Sequence, residues 1–91
     1  MPINLTLLSK PGCHLCEAAL VAVETVIAGY LAEPVHAKVL LEVVNILDDA
    51  QLQNRYAEQI PVLLINGEVH NYWRIDEERL RATLEAATPK A

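Results

Sequence analysis

The chain has 91 residues, 53% hydrophobic and 21% charged, and its 12 acidic and 7 basic side chains leave a net charge of −5. That length holds one small domain, expected over residues 1–91, with a thin core. The acidic balance lacks the electrostatic footprint of a nucleic-acid or anionic-membrane binder, so neither is expected as a partner. Gly12, Gly29 and Gly67 are too widely spaced for a Rossmann fingerprint or a phosphate-binding loop. The single serine, Ser9, precedes Lys10 without a glycine elbow, which argues against a serine hydrolase. His14, His36 and His70 do not form a paired zinc-protease motif.

In chain order, Ile3 to Leu8 predicts a buried strand ended by the breaker Ser9-Lys10-Pro11-Gly12. Cys16, Ala19, Leu20, Val23, Val26, Ile27 and Tyr30 then recur at helical spacing, and the opposite face is apolar enough that a largely covered helix is expected. Gly29 is placed near its stop. Ala18 to Val23 is the most apolar stretch, ends at Glu24, and is too short to span a bilayer. Pro34 interrupts Tyr30 to His36. Lys38 to Ile46 predicts a second strand, apolar on both faces and therefore central. Asp48 and Asp49 start a short helix through Ala57. Pro61 to Ile65 predicts a third strand, Asn66-Gly67 a type I′ hairpin turn, and Glu68 to Tyr72 the returning strand. Asp76 caps a last helix whose Leu80, Leu84 and Ala87 form its apolar stripe, ended by Pro89. The order is β-α-β-α-β-β-α.

Met1 to Ser9 is apolar but carries neither a basic leader nor a cleavage site, so a cytoplasmic location is expected. Reducing compartments leave little use for a structural disulfide framework, and the two cysteines need another role. Pro11-Gly12-Cys13-His14-Leu15-Cys16 joins the first strand to the first helix. Three residues of helix separate the two Cα atoms by roughly 5 Å, inside the ~4.4–6.8 Å that a disulfide requires. Cys13 falls at the helix N-terminus, where free N–H groups and the dipole favour a thiolate, with values of ~3.5–7.5 in such motifs. Cys13 is therefore the expected attacking thiol and Cys16, one turn further in, the resolving one. His14 is adjacent and available to stabilise the thiolate. Two other readings stand beside this one. Half of a zinc site lacks its second ligand pair, and two inert core cysteines do not account for placement at a Pro-Gly turn after a strand. Redox use of C-x-x-C beside a strand–helix–strand pattern is the third.

Ser9 to Cys16 resembles the active-site segment of glutaredoxins, and Gln59-Ile60-Pro61-Val62-Leu63-Leu64-Ile65-Asn66-Gly67 resembles their later segment, a cis-proline followed by a strand and a hairpin. The resemblance runs along nearly the whole chain. It implies an α/β thioredoxin-like fold, a four-stranded mixed sheet in the order 2-1-3-4 flanked by three helices, the first and third on one face and the second on the other. It implies Cys13 as nucleophile and Cys16 as resolving cysteine. It further implies that Pro61 is a cis-proline facing the dithiol, that the backbone of Ile60 pairs with an extended substrate, and that Lys10 contacts glutathione. One departure stands out. Asn71-Tyr72-Trp73 occupies the place of a paired-glycine segment that holds glutathione, so glutathione is expected to be a poor electron donor, and Tyr72 and Trp73 are expected to line another groove or pack on the last helix.

The expected function is thiol–disulfide exchange on protein or small-molecule disulfides, by a monomer with no metal and no bound cofactor. Its reductant is glutathione or a thioredoxin-reductase type system. The alternatives are an iron–sulfur cluster held through Cys13 between two chains, and a non-catalytic thioredoxin-fold interaction protein.

Overall fold

The computed structural model describes residues 2–89; Met1, Lys90 and Ala91, included in the expected domain span, lie outside the described residues. Its elements are β1 (Ile3–Ser9), α1 (His14–Leu31), β2 (Val39–Asn45), α2 (Ala50–Tyr56), β3 (Val62–Ile65), β4 (Glu68–Tyr72) and α3 (Glu77–Ala86), with a 3-10 turn, Ile46–Asp48, ahead of α2. The sheet order is β2-β1-β3-β4. β1 and β2 are parallel, while β3 runs antiparallel to both β1 and β4. This is the thioredoxin-like arrangement that the element order predicts.

Local chemistry sets most of the boundaries. Asp49 and Asp76 cap α2 and α3 by accepting hydrogen bonds from first-turn amides, Gln51 N–H at 2.9 Å and Arg79 N–H at 3.0 Å. Asn66 and Gly67 adopt φ values of 50° and 85°, as a two-residue hairpin turn demands.

Strand alternation then builds two cores. Ile3, Leu5 and Leu7 of β1, with Leu63 and Ile65 of β3, meet Ala19, Val23, Val26 and Tyr30 of α1 and Leu80 and Leu84 of α3. On the other face Leu8 and Val62 meet Ile46, Tyr56 and Ile60. Cys16 joins this second cluster from the start of α1, so the two cores converge on the C-terminal end of β1.

Several expectations need correction. α1 is not largely covered: its outward face has no partner layer, and Val21 is 64% exposed. Its apolar character also continues past Glu24. The 18-residue helix has a mean hydropathy of 1.4, long and apolar enough by composition to cross a membrane, but its inner face forms the core. Gly29 does not end α1, which runs to Leu31. A Cβ there would sit 2.9 Å from the flexible end of the Arg81 side chain on α3. β2 is an edge strand, not a central one, and Leu40 and Val43 face solvent. Ile46 belongs to the 3-10 turn, and Ala87 is an exposed cap outside the α3 stripe.

Tyr30 fastens the far end of this scaffold. Its ring is fully buried, and its hydroxyl accepts the Ala37 N–H at 2.7 Å. Thr88 donates its own proton to Leu84 O at 2.8 Å, so Tyr30 donates to Thr88. One phenol thus links the loop before β2 to the end of α3. Tyr30→Phe would leave the buried Ala37 N–H unpaired, at a cost of about 1–3 kcal/mol. Urea denaturation of the two proteins should show that loss at unchanged m-value; equal midpoints would mean that the hydroxyl bonds are replaced by water.

Candidate active site

β1 ends at Ser9, and the chain must reverse before α1 can pack back on the sheet. Gly12 makes the reversal, at a φ of 75° that side chains rarely adopt. Cys13 follows in extended conformation as the N-cap of α1. Its carbonyl accepts the Glu17 N–H at 3.1 Å, and its sulfur accepts the Cys16 N–H at 3.2 Å. The thiol position therefore does what a serine or aspartate oxygen does at other helix starts. The Cα atoms of Cys13 and Cys16 lie 5.2 Å apart, and the two sulfurs are paired as a disulfide. Cys13 is half-buried while Cys16 is 4% exposed. An incoming group therefore has access to Cys13 first.

Ile60 and Pro61 approach from the other strand of the site. The bond between them is cis. Both residues are buried, and Ile60 packs in the same cluster as Cys16, with Cys13 against it. Outside β3, among the described residues, the Ile60 backbone makes no backbone hydrogen bond. Pro61 is held by the neighbouring strand, its carbonyl accepting the Trp73 N–H at 2.7 Å. Trp73 also donates Nε1–H to the Glu58 carbonyl at 3.3 Å, so one residue spans the turn that presents Pro61.

The remaining predicted residues are placed unequally. Lys10 is exposed and lines, with Cys13, Cys16, Glu17, Leu20 and Val43, a groove of about 290 Å³ beside the dithiol. His14 points into solvent, 98% exposed, with its Nδ1 3.8 Å from the Glu17 carboxylate. Nothing orients its ring toward the sulfurs. Tyr72 and Trp73 are both exposed, and Trp73 lines a groove with Leu15, Ala18 and Ala22 of α1. A larger cavity of about 480 Å³ sits by Glu33 and Glu85, near the C-terminal end of α1 and away from the two cysteines. Among the described residues no cluster of three or more His, Cys, Asp or Glu side chains is arranged to hold a metal ion.

Two contacts are absent from the sequence reading: that of Glu17 with His14, legible one turn beyond Cys13, and the bond of Trp73 to Pro61, which is not legible. A two-residue hairpin with unbroken pairing sets Tyr72 opposite Pro61, but a register shift between Leu63 and Leu64 pairs Val62 with Tyr72 and moves Trp73 into that place.

The chain resembles known proteins over this whole frame. It is 36% identical to the structural-genomics target protein XcR50 from X. campestris, whose X-ray structure superposes with a TM-score of 0.68 over 91% of this chain and 97% of that one. A mutant thioredoxin from Halobacterium salinarum, 22% identical, shares the fold with a TM-score of 0.59 over 98% of this chain and 77% of its own. An uncharacterized protein of Mycobacterium tuberculosis is 40% identical over 37 residues, which span 41% of this chain and only 38% of that relative. Residues 4–85, from β1 to the last turn of α3, match the family model of the glutaredoxin-like domain (DUF836), and the chain belongs to that family.

Proposed function

We propose that the protein is a thiol–disulfide oxidoreductase in which Cys13 attacks and Cys16 resolves. The observation that carries this reading is the cap: the Cys16 amide points at the Cys13 sulfur at 3.2 Å, at the positive end of an 18-residue helix. When the pair is reduced, that N–H and the helix dipole favour the thiolate over the thiol. The thiolate attacks one sulfur of a substrate disulfide. A Cys13–substrate disulfide forms, and the other substrate sulfur leaves as a thiolate. Cys16, 5.2 Å away at Cα, then attacks Cys13, releases the second substrate thiol and leaves the Cys13–Cys16 disulfide. The substrate has gained two electrons and the protein has lost two. An external dithiol system, or two equivalents of glutathione, returns them.

Other residues fit supporting roles. The free backbone of Ile60 suits pairing with an extended substrate, since Ile60 shares a buried cluster with Cys16 and Cys13 packs against it. Lys10, on the rim of the dithiol groove, suits an anionic group on the substrate. His14 is a weaker contributor, because its ring stands in solvent beside Glu17. A cytoplasmic setting would keep the resting pair reduced.

In the reduced protein, alkylation of Cys13 should rise with pH through a midpoint below the ~8.5 of free cysteine and then level off. Cys16→Ser should retain this profile, whereas Cys13→Ser should leave only slow labelling. Faster labelling of Cys16 at neutral pH would reverse the two roles. Hydroxyethyl-disulfide reduction should couple poorly to glutathione compared with turnover by a thioredoxin-reductase system, because bulky Tyr72 and Trp73 replace a close backbone approach. Saturation at low glutathione concentration would refute this.

A further inference from the structure

The outer edge of β2 has no neighbouring strand. Ile3 N–H donates to the Lys38 carbonyl at 2.8 Å, and Ile3 lies opposite Val39 in the parallel ladder. That phase turns the backbone groups of Lys38, Leu40 and Glu42 toward β1 and those of Val39, Leu41 and Val43 outward. Among the described residues no hydrogen bond reaches the outward groups of Val39 and Leu41. Native edges are commonly blunted by a proline, a bulge or a covering loop. β2 has no proline, and its ladder with β1 runs unbroken from Val39 to Asn45. Its side chains are also sorted. Val39 and Leu41 pack on the first core and Val44 on the second, whereas Leu40 belongs to neither and is 43% exposed. Lys38 and Glu42 flank Leu40 on the same face by alternation. Both are exposed, and neither has an ion-pair partner among the described residues.

We infer that two copies of this chain pair antiparallel along β2, about a two-fold axis at Leu40, and join their four-stranded sheets into one. An antiparallel pair of identical strands is symmetric about one position, and that position fixes every partner. With the axis at Leu40, each Lys38 meets the Glu42 of the other copy, once on either side of the axis. Val39 and Leu41 then exchange bonds through their outward N–H and C=O groups, and the two Leu40 side chains close on each other at the narrower, non-hydrogen-bonded position. An axis at Leu41 sets Lys38 against Val44 and Glu42 against Leu40, and an axis at Glu42 sets two carboxylates against each other. The ladder stops at Ala37, whose N–H is already taken by Tyr30. Charge, strand phase and apolar exposure thus select one register. The interface is small, so the dimer is weak and concentration-dependent. It takes the place of the monomer expected from the sequence.

The test uses the full chain with the dithiol kept reduced, so that no disulfide links two copies. The mass from sedimentation equilibrium should rise from one chain toward two with concentration. Lys38→Glu and Glu42→Lys each turn both attractive pairs into repulsive ones and should weaken association about tenfold or more. Lys38→Glu combined with Glu42→Lys restores opposite charges and should recover association to within about twofold. Amide hydrogen exchange of the unsubstituted protein makes the test independent of whether the variants fold. As concentration rises, exchange should slow at Val39 and Leu41 and stay unchanged at Leu40, whose N–H is already turned to β1. A single-chain mass at every concentration would overturn the proposal. So would association that the single swaps leave unchanged or strengthen, the result expected if these charges guard the edge. Failure of the folded double variant to recover association, or slowed exchange at Leu40 in place of its neighbours, would overturn it as well.

Discussion

A helix needs acceptors for its first amides, and in this protein a sulfur provides one. Cys13 occupies the cap of α1, its Sγ accepts the Cys16 N–H, and its carbonyl accepts the Glu17 N–H. Structure and chemistry therefore meet in one residue. The contact that starts the helix also concentrates positive potential at the sulfur, and the helical rise that follows sets the second cysteine at disulfide distance. β1 makes this placement rigid. It pairs with β2 on one side and β3 on the other, and its C-terminal end delivers the chain into the Gly12 turn.

The second half of the site comes from a different part of the chain and is tied down separately. Pro61 enters β3 next to β1, and Trp73 clamps its carbonyl from the end of β4. Cys16 and Ile60 share one buried cluster, so the two halves meet through packing and not through a side-chain hydrogen bond between them. The polar neighbours are looser. Lys10 and His14 are exposed, and His14 has only the Glu17 carboxylate nearby. An exposed pair of this kind contributes little to orientation or stability.

The two faces of α1 behave differently, and this shapes the molecule's outer surface. The inner face is packed by both β1 and α3. The outer face carries Leu15, Val21 and Leu31 in water. One layer of helices on each side of a four-stranded sheet leaves nothing to cover them. At the Leu15 end the segment after β4 comes alongside and makes a groove.

Local rules in the sequence determined the strand periods, the Asn66-Gly67 turn, the aspartate caps and the spacing of Cys13 and Cys16, because each depends on residues within one or two turns of each other. The family resemblance of residues 9–16 and 59–67 extended that reading to the sheet order. Tertiary structure decided the rest. Apolar periodicity shows which residues can be buried but not whether a partner covers them, so α1 appeared covered and β2 central when one face of the first and one edge of the second are open. A register shift of one residue in the β3–β4 ladder is silent in composition, yet it decides that Trp73 and not Tyr72 holds Pro61. The partners of the Tyr30 hydroxyl lie 7 and 58 residues away in the chain, and only the packed fold brings them to one atom.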